Sequence, residues 1–365
     1  MSVFDHGGMP PRRIAVLRAL QLGDLLCAMP AFRAIRRALP ESEITLIGLP
    51  WARAFTRRFR EYVDDFIEFP GYPGLPEREP DLARLPIFLG RVRGSRFDVA
   101  LQMHGCGTVT NPLVAHFGAR RTAGFFEEGR SCPDPARYLA YPDHGLEVDR
   151  LLSLVEFLGI PPRGHDLEFP LHDEDFAELA AIAAVKSLSL GRFACIHVGA
   201  STPLRRWPVE NFAQVARHLS LRGLCVVLTG TCDEVSLTQA VAREVPGRVV
   251  DLAGQTSLGA LGALFRRACL LVSNDTGVSH MADALRLPSV IISTGNNPAR
   301  WAPRDHRRHR VLCRASGVTP GEVIHEAEEL LGGRSGAIEQ AARHVDPPVA
   351  VDSIPNLQPN GEAIR

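Results

Sequence analysis

The fold is decided by residues 14–48, which read IAVLRALQLGDLLCAMPAFRAIRRALPESEITLIG. Ile14–Leu17 is a short apolar run that is typical of a buried strand. The apolar residues behind it recur at helical spacing along one face: Leu25, Met29, Phe32, Ile35 and Leu39. Pro40 ends the predicted helix, and Ile44–Ile47 forms a second strand. Strand, loop, helix and strand in this order indicate a parallel sheet covered by helices.

The second half of the chain repeats this alternation of strands and helices. Apolar strand-like runs (RFACIHVGA, CVVLTG, VVDLAG, CLLVSND and SVIIST) alternate with amphipathic helical segments, the last of them predicted over 278–287. We therefore expect two Rossmann-like doubly wound α/β domains facing each other across a cleft. The predicted boundaries are residues 1–160, a linker region at 161–190, a second domain at 191–335, and a proline-rich, disordered tail at 336–365.

The composition excludes several classes of protein. The 365 residues carry 41 basic and 41 acidic side chains, so bulk charge argues against a general nucleic-acid binder. No apolar run is long enough for a transmembrane helix, and the N-terminus lacks the apolar core of a signal peptide. Eight scattered cysteines without a C-x-x-C pair predict a reduced, cytosolic protein with no disulfide or zinc framework. Lys186 is the only lysine and lies outside any Walker A loop, which excludes P-loop phosphoryl transfer.

Two further observations concern the first half. The segment Glu68–Pro86 is rich in proline and glycine, which predicts a long loop, and such loops in compact domains are more often functional than idle. The first strand–helix turn, RALQLGDLL, contains no G-x-G-x-x-G, which disfavours a dinucleotide oxidoreductase.

Polar residues cluster where predicted strands end. In LLVSNDTGVSHMADALRLPSVIIST (270–294), Asp275, Thr276 and Gly277 open a helix that carries His280. The unpaired N–H groups of a helix start favour an anion, and glycine lets a phosphate approach the backbone. The alternative is structural: Asp275 as an N-cap and His280 as a core histidine.

A second strand-end cluster is GASTPLRRWP (199–208). Ser201 and Thr202 supply small hydroxyls, and Arg205 and Arg206 stand beside a helix start, an arrangement that suits a diphosphate. Two solvated surface arginines are the alternative.

Carboxylates follow two other predicted strands. Glu234 or Asp233, in LTGTCDE, can accept hydrogen bonds from ribose hydroxyls or simply cap a helix. Asp24 directly follows Gly23 at the start of the first helix. It is either an N-cap or, across the cleft from a phosphate site, a base for an acceptor hydroxyl.

Five blocks of the sequence, in order and spacing, resemble glycosyltransferase family 9, whose best-known members are ADP-heptose:lipopolysaccharide heptosyltransferases. They are GDLLCAMPAFRAIRRALP, DVALQMHG, GASTPLRRWPVENFAQVA, LAGQTSL and SNDTGVSHMADALRLPSV. The resemblance covers about residues 13–331. It implies a GT-B fold with the acceptor bound by the first domain and the nucleotide-sugar by the second, without a metal or other cofactor.

The resemblance also implies residue roles. Asp24 is expected to be the general base, and the donor site is expected to contain Ser201, Thr202, Arg205, Arg206, Glu234, Asp275, Thr276, Gly277 and His280. The chain departs from the family pattern by an arginine, Arg205, where lysine is frequent, and by Asp283 where a small residue is common.

The expected activity is an inverting transfer of a sugar, heptose by resemblance, to a hydroxyl of a lipopolysaccharide-core or related glycan acceptor. A non-hydrolysing nucleotide-sugar epimerase and a non-catalytic nucleotide-sugar-binding homologue are the alternatives. Two groups of arginines suggest peripheral contact with anionic lipids at the cytoplasmic face of the inner membrane or contact with an acidic acceptor, or else are solvated surface residues: Arg53, Arg57, Arg58 and Arg60, and the segment 304–310. The sequence indicates neither the acceptor nor the oligomeric state.

Overall fold

The structure, a computed structural model, describes Phe4 and residues 9–342. The first half forms a six-stranded sheet in which all paired strands are parallel. Its strands are β1 (Arg13–Leu17), β2 (Glu43–Gly48), β3 (Asp65–Glu68), β4 (Val99–Gln102), β5 (Arg121–Phe126) and β6 (Tyr138–Ala140). Their order across the sheet is β3-β2-β1-β4-β5-β6, the order of a Rossmann domain.

The second half builds a sheet of the same kind. Its strands are β7 (Phe193–His197), β8 (Cys225–Thr229), β9 (Val249–Asp251), β10 (Leu270–Asn274), β11 (Ser289–Ile292) and β12 (His309–Leu312). Their order, β12-β11-β10-β7-β8-β9, repeats that of the first sheet. The prediction of two Rossmann-like units is confirmed. The strand order reverses between β1 and β4 and between β7 and β10, which is where such sheets bind ligands.

Helices connect the strands of the first sheet. They are α1 (Leu22–Ala38), α2 (Ala52–Arg58), α3 (Leu85–Gly94), α4 (Thr110–Ala115) and α5 (Glu147–Phe157). The apolar residues that predicted α1 are buried in the described fold. The loop predicted at Glu68–Pro86 lies between the end of β3 and the start of α3.

The helices of the second half are α6 (Asp173–Ala181), α7 (Val209–Leu221), α8 (Val235–Glu244), α9 (Leu258–Arg267), α10 (Gly277–Ala284), α11 (Pro298–Trp301) and α12 (Pro320–Ala342). Helix α6 lies inside the region predicted as a linker.

Two predicted limits need correction. The helix predicted over 278–287 ends at Ala284, because Arg286 adopts a left-handed backbone conformation (φ 57°) that stops the helix. Helix α12 runs past residue 335 to Ala342, so the first residues assigned to a disordered tail are helical. The rest of that predicted tail, 343–365, lies outside the described residues.

A continuous apolar cluster joins the two halves. It includes Leu25 and Met29 of α1 and Val278 and Met281 of α10. Helix α1 therefore packs on the first sheet and on the second domain together, which brings the starts of α1 and α10 to the same place. Within the described part of the chain, no helix combines the length and apolarity needed to cross a membrane.

Candidate active site

The N-termini of α1 and α10 meet at two glycines. A Cβ atom added at Gly23 would lie 2.5 Å from Cδ2 of His280, and one at Gly277 would lie 2.9 Å from Cβ of Leu22. Ordinary side chains do not fit at such distances, so glycine is required at both positions. Because each helix start carries a partial positive charge, the contact concentrates positive potential where the two domains touch.

Asp24 occupies the first turn of α1, beside this contact. Its carboxylate accepts a hydrogen bond from the main-chain N–H of Gln21 (3.3 Å), and it is partly exposed. The N-cap residue of α1 is therefore Gln21 and not Asp24, and Asp24 closes a capping box from the third helical position. The cap engages one carboxylate oxygen, and the partly exposed side chain lies where the first domain faces the second.

A buried arginine fixes the backbone that carries Asp24. Arg18, at the end of β1, is 1% exposed. Its Nε donates to the main-chain oxygen of Asp24 (2.9 Å), Nη1 to that of Met103 (2.6 Å), and Nη2 to Oε1 of Glu147 (3.0 Å). The turn between β1 and α1 is thus tied to the neighbouring strand and to α5.

Glu147 continues this chain of contacts into the second domain. Its Oε2 accepts a hydrogen bond from Nε of Arg300 (2.8 Å), and Nη2 of Arg300 donates to the Tyr141 hydroxyl (2.7 Å). Burial alone would raise the pKa of Glu147, but the charges and hydrogen bonds of Arg18 and Arg300 outweigh burial and lower it. The carboxylate is therefore ionised and shared by one arginine from each domain.

On the second domain, the carboxylate of Asp275 is held by the loop after β11. Its Oδ2 accepts hydrogen bonds from Asn296 Nδ2 (2.9 Å) and Ser293 Oγ (3.3 Å), and its main-chain oxygen accepts one from Arg205 Nη2 (2.8 Å). Asp275 thus joins three loops at the ends of β7, β10 and β11 and holds them in one arrangement.

Two polar atoms of these loops are buried without a hydrogen-bond partner in the described structure: Oγ1 of Thr276 and Nε of Arg205. The N-cap residue of α10 is Thr276 and not Asp275, which corrects the structural alternative, and the Thr276 side chain makes no capping bond. A buried hydroxyl or guanidinium nitrogen without a partner is unfavourable, so such groups are candidates for contact with a ligand.

Asn274 fixes the two loops relative to each other. Its Oδ1 accepts a hydrogen bond from the main-chain N–H of Trp207 (2.8 Å), and its Nδ2 donates to the main-chain oxygens of Val198 (2.9 Å) and Gly199 (3.1 Å). The fully buried amide therefore locks the segment 199–208 against the end of β10.

Ser201, Thr202 and Arg206 lie on the same segment as Arg205. Ser201 and Thr202 are exposed, and Ser201 Oγ lies 3.4 Å from Nη1 of Arg205. The Arg206 guanidinium folds back to donate twice to the main-chain oxygen of Ala200 (3.1 and 3.0 Å). The two adjacent arginines thus differ, because Arg206 supports the loop while Arg205 faces the start of α10.

Glu234 lies at the end of β8 and is buried. Its Oε2 accepts a hydrogen bond from the main-chain N–H of Thr231 (2.8 Å), the capping contact that the structural interpretation required. A Cβ atom at Gly199 would overlap its carboxylate, so Glu234 also borders the segment that carries Arg205. His197 lies 4.0 Å from Glu234, and burial lowers the pKa of this histidine.

His280 lies on the domain contact. Its ring is buried against Gly23, with Nδ1 3.6 Å from the Cys27 thiol and the ring centroid 6.1 Å from that of Trp301. Sequence reasoning expected it to point toward the donor pocket. In the structure it packs on α1, close to Asp24.

Sequence reasoning missed four residues that hold the site together: Arg18, Glu147, Arg300 and Asn296. The signal for Arg18 was an arginine at the end of an otherwise apolar strand, which a buried sheet tolerates when the charge is paired. Glu147 and Arg300 are 153 residues apart, and no local pattern connects them. Among the described residues, no three His, Cys, Asp or Glu side chains come together as metal ligands would.

Comparison with known proteins identifies the family of this chain. The model of glycosyltransferase family 9 (heptosyltransferase) matches residues 88–329. Lipopolysaccharide heptosyltransferase 2 of Escherichia coli (strain K12) is 26% identical over 357 residues, which cover 87% of this chain and 98% of that protein.

Solved structures show the same architecture. The glycosyl transferase family 9 structure from Veillonella parvula DSM 2008 matches with a TM-score of 0.74 at 21% identity, covering 88% of this chain and 97% of the other. The ADP-heptose lps heptosyltransferase II of E. coli matches with a TM-score of 0.67 at 21% identity, covering 88% and 99%. These similarities, with the two parallel six-stranded sheets, confirm the predicted GT-B fold.

Proposed function

The chain belongs to glycosyltransferase family 9 and is a glycosyltransferase, and we propose that it transfers a heptose from ADP-heptose to a hydroxyl of a lipopolysaccharide-core glycolipid. The proposed reaction inverts the anomeric centre and uses no metal. The names of the similar E. coli proteins support the donor and the acceptor class. The acceptor is assigned to the first domain and the nucleotide-sugar to the second, with working boundaries at residues 1–160 and 191–335.

One observation carries the proposed chemistry. Asp24 stands at the start of α1, and that helix start touches the start of α10 through Gly23 and Gly277. The Asp24 carboxylate of one domain therefore lies next to the start of α10 in the other domain, which favours an anion. An inverting transfer needs this combination, a base on the acceptor side and a charge-stabilising group on the leaving-group side.

The donor pocket supplies that charge stabilisation. Thr276 Oγ1 and Arg205 Nε are buried without partners, and both border the start of α10. We assign them to the diphosphate, together with the exposed hydroxyls of Ser201 and Thr202. Arginine pairs with phosphate oxygens through a planar fork, so Arg205 replaces the lysine of the family pattern with different geometry. Glu234 is assigned to the ribose.

The reaction then proceeds in one displacement. Asp24 accepts the proton of the acceptor hydroxyl as that oxygen attacks the anomeric carbon of the heptose. The bond between this carbon and the phosphate oxygen breaks, and the electron pair leaves with ADP. Arg205 and the α10 helix start face the charge that develops on ADP, in an arrangement set before the donor arrives. Arg18 positions Asp24 through its main-chain oxygen.

The donor is tested by calorimetric titration of ADP, UDP and GDP, each with and without Mg²⁺. We expect ADP to bind most tightly and Mg²⁺ to leave its affinity unchanged. Preference for UDP or GDP would remove ADP-heptose from the proposal. Failure to bind any of the three would favour a non-catalytic homologue.

The base is tested by Asp24→Asn, which keeps the size of the side chain. We expect kcat for heptosyl transfer to fall by about 10²–10⁴, because a positioned base contributes that much, while ADP affinity stays the same. Gln21→Ala removes the other half of the helix cap and is the matched control, with kcat expected near that of the wild type. Full turnover by Asp24→Asn would show that another group is the base.

A further inference from the structure

The first domain exposes an unusual helix face that none of the contacts above uses. Phe88 and Val92 of α3 are buried, whereas Ile87 is 73% exposed and Leu82, in the turn before the helix, is 65% exposed. A Cβ atom added at Gly90 would meet nothing within 4 Å, so this outer face is open. Two large apolar side chains held in water within one short segment indicate a surface that something else covers.

The charge around this face is equally unusual. Residues 82–97 contain four arginines and no acidic residue, in a chain whose net formal charge is zero. Arg84 pairs with Glu68. The other three, Arg91, Arg93 and Arg96, form no ion pair with the described carboxylates.

The two arginine groups singled out from the sequence, within 53–60 and 304–310, are partly neutralised by ion pairs. Arg58 pairs with Asp175, and within 304–310 Arg304 pairs with Asp149, Arg308 with Asp305 and Arg310 with Glu326. Four of these eight arginines are therefore paired, whereas Arg53, Arg57, Arg60 and Arg307 form no ion pair with the described carboxylates. Neither of these two groups contains a large exposed apolar side chain, whereas Arg91, Arg93 and Arg96 lie in the same segment as the exposed Leu82 and Ile87.

We propose that the α3 face (Leu82, Ile87, Arg91, Arg93 and Arg96) docks the protein on an anionic lipid surface. Apolar side chains flanked by arginines suit the boundary of a bilayer, where the former enter the acyl region and the latter meet phosphate headgroups. A helix that follows a parallel strand begins near the carboxyl edge of the sheet, so Ile87 lies toward the cleft end of the first domain. The inference rests on the proposed function in one respect, because a glycolipid acceptor would reach the cleft from that lipid surface.

The test is sedimentation of the full chain with vesicles of equal parts phosphatidylglycerol and phosphatidylcholine, at low ionic strength and without donor or acceptor. We expect the wild type to bind these vesicles, to bind pure phosphatidylcholine weakly, and to be released by high salt. Absence of binding to the anionic vesicles would overturn the proposal and point to a protein partner for this face.

Substitutions on and away from the α3 face test whether this face is the surface that binds the vesicles. Leu82→Ser/Ile87→Ser and Arg91→Ser/Arg96→Ser should each weaken vesicle binding by about tenfold or more. The matched controls are Leu190→Ser/Leu221→Ser and Arg217→Ser/Arg243→Ser, which remove exposed leucines and exposed arginines of the second domain. Equal losses in test and control variants would place the lipid contact elsewhere.

A gain-of-binding variant removes misfolding as an explanation. Ile87→Trp adds apolar and interfacial surface, so it should strengthen vesicle binding severalfold, and an unchanged affinity would contradict the proposal. Transfer to a lipid-free acceptor should be unaffected by Leu82→Ser/Ile87→Ser, whereas transfer to an acceptor embedded in vesicles should fall. Because vesicle binding is measured without any sugar substrate, its failure is distinguishable from failure of the proposed reaction.

Discussion

Two polar clusters near the domain contact differ in how many of their buried polar atoms have hydrogen-bond partners. Arg18 and Glu147 of the first domain and Arg300 of the second form a largely buried chain in which the shared carboxylate and both guanidinium groups have hydrogen-bond partners. On the second-domain side, Thr276 and Arg205 keep buried polar atoms without partners. A network in which every buried polar atom has a partner contributes only to stability. Buried polar atoms without partners can instead form hydrogen bonds with a ligand.

Breaking the complete network should have the largest effect. Glu147→Ala leaves the buried Arg18 and the partly exposed Arg300 without their shared carboxylate, and we expect the free energy of unfolding near neutral pH to fall by about 3–5 kcal/mol. Denaturant titration measures it. Glu43→Ala, which removes the half-exposed ion pair with Arg13, is the control and should cost no more than about 1 kcal/mol.

The same variant has a pH signature. Since the two arginines lower the pKa of Glu147, its contribution to stability is present above the ordinary glutamate pKa of about 4.3 and is lost as the pH falls through its folded-state pKa. The stability difference between wild type and Glu147→Ala should therefore shrink in acid. A difference that is constant with pH would mean that packing, not charge, accounts for the loss.

Removing a cation from the incomplete side should change binding rather than folding. We expect Arg205→Ala to weaken ADP binding about 10- to 100-fold, the range for a hydrogen bond to a charged group. Calorimetry measures the affinity, and thermal unfolding checks the fold. Arg206→Ala is the matched control, because its guanidinium is already engaged by Ala200. If the control weakens ADP binding as much, the two arginines do not differ as the contacts indicate.

The smallest predicted effect is that of removing the Thr276 hydroxyl, and it tests directly whether an unpartnered buried group serves the ligand or the fold. Thr276→Val removes a hydroxyl that has no partner in the protein, so ADP affinity should fall about fivefold while stability stays within about 0.5 kcal/mol. Thr238→Val is the opposite case. Its buried hydroxyl is bonded to Val235 and Asp251, so stability should fall by about 1–2 kcal/mol with ADP affinity unchanged. A stability loss in Thr276→Val would show that its hydroxyl serves the fold.

Local sequence patterns predict the architecture and the segments proposed to form the site. Short β-branched runs alternating with amphipathic helices are local patterns, and parallel strands place their carboxyl ends at one edge. Asp24, the segment 199–208 and the segment 275–280 could therefore be assigned to the cleft without coordinates. The end of α10 could not, since an arginine in a left-handed conformation leaves no compositional mark.

The different contacts of two neighbouring arginines could not be predicted from local patterns, because they depend on tertiary packing. Arg205 and Arg206 are identical and adjacent in sequence, but the direction of each side chain depends on loops contributed by distant strands. Glu147 and Arg300 meet only because α1 packs against both domains. Local periodicity encodes which face of an element is buried, whereas pairing of buried charges depends on where separate elements come to rest.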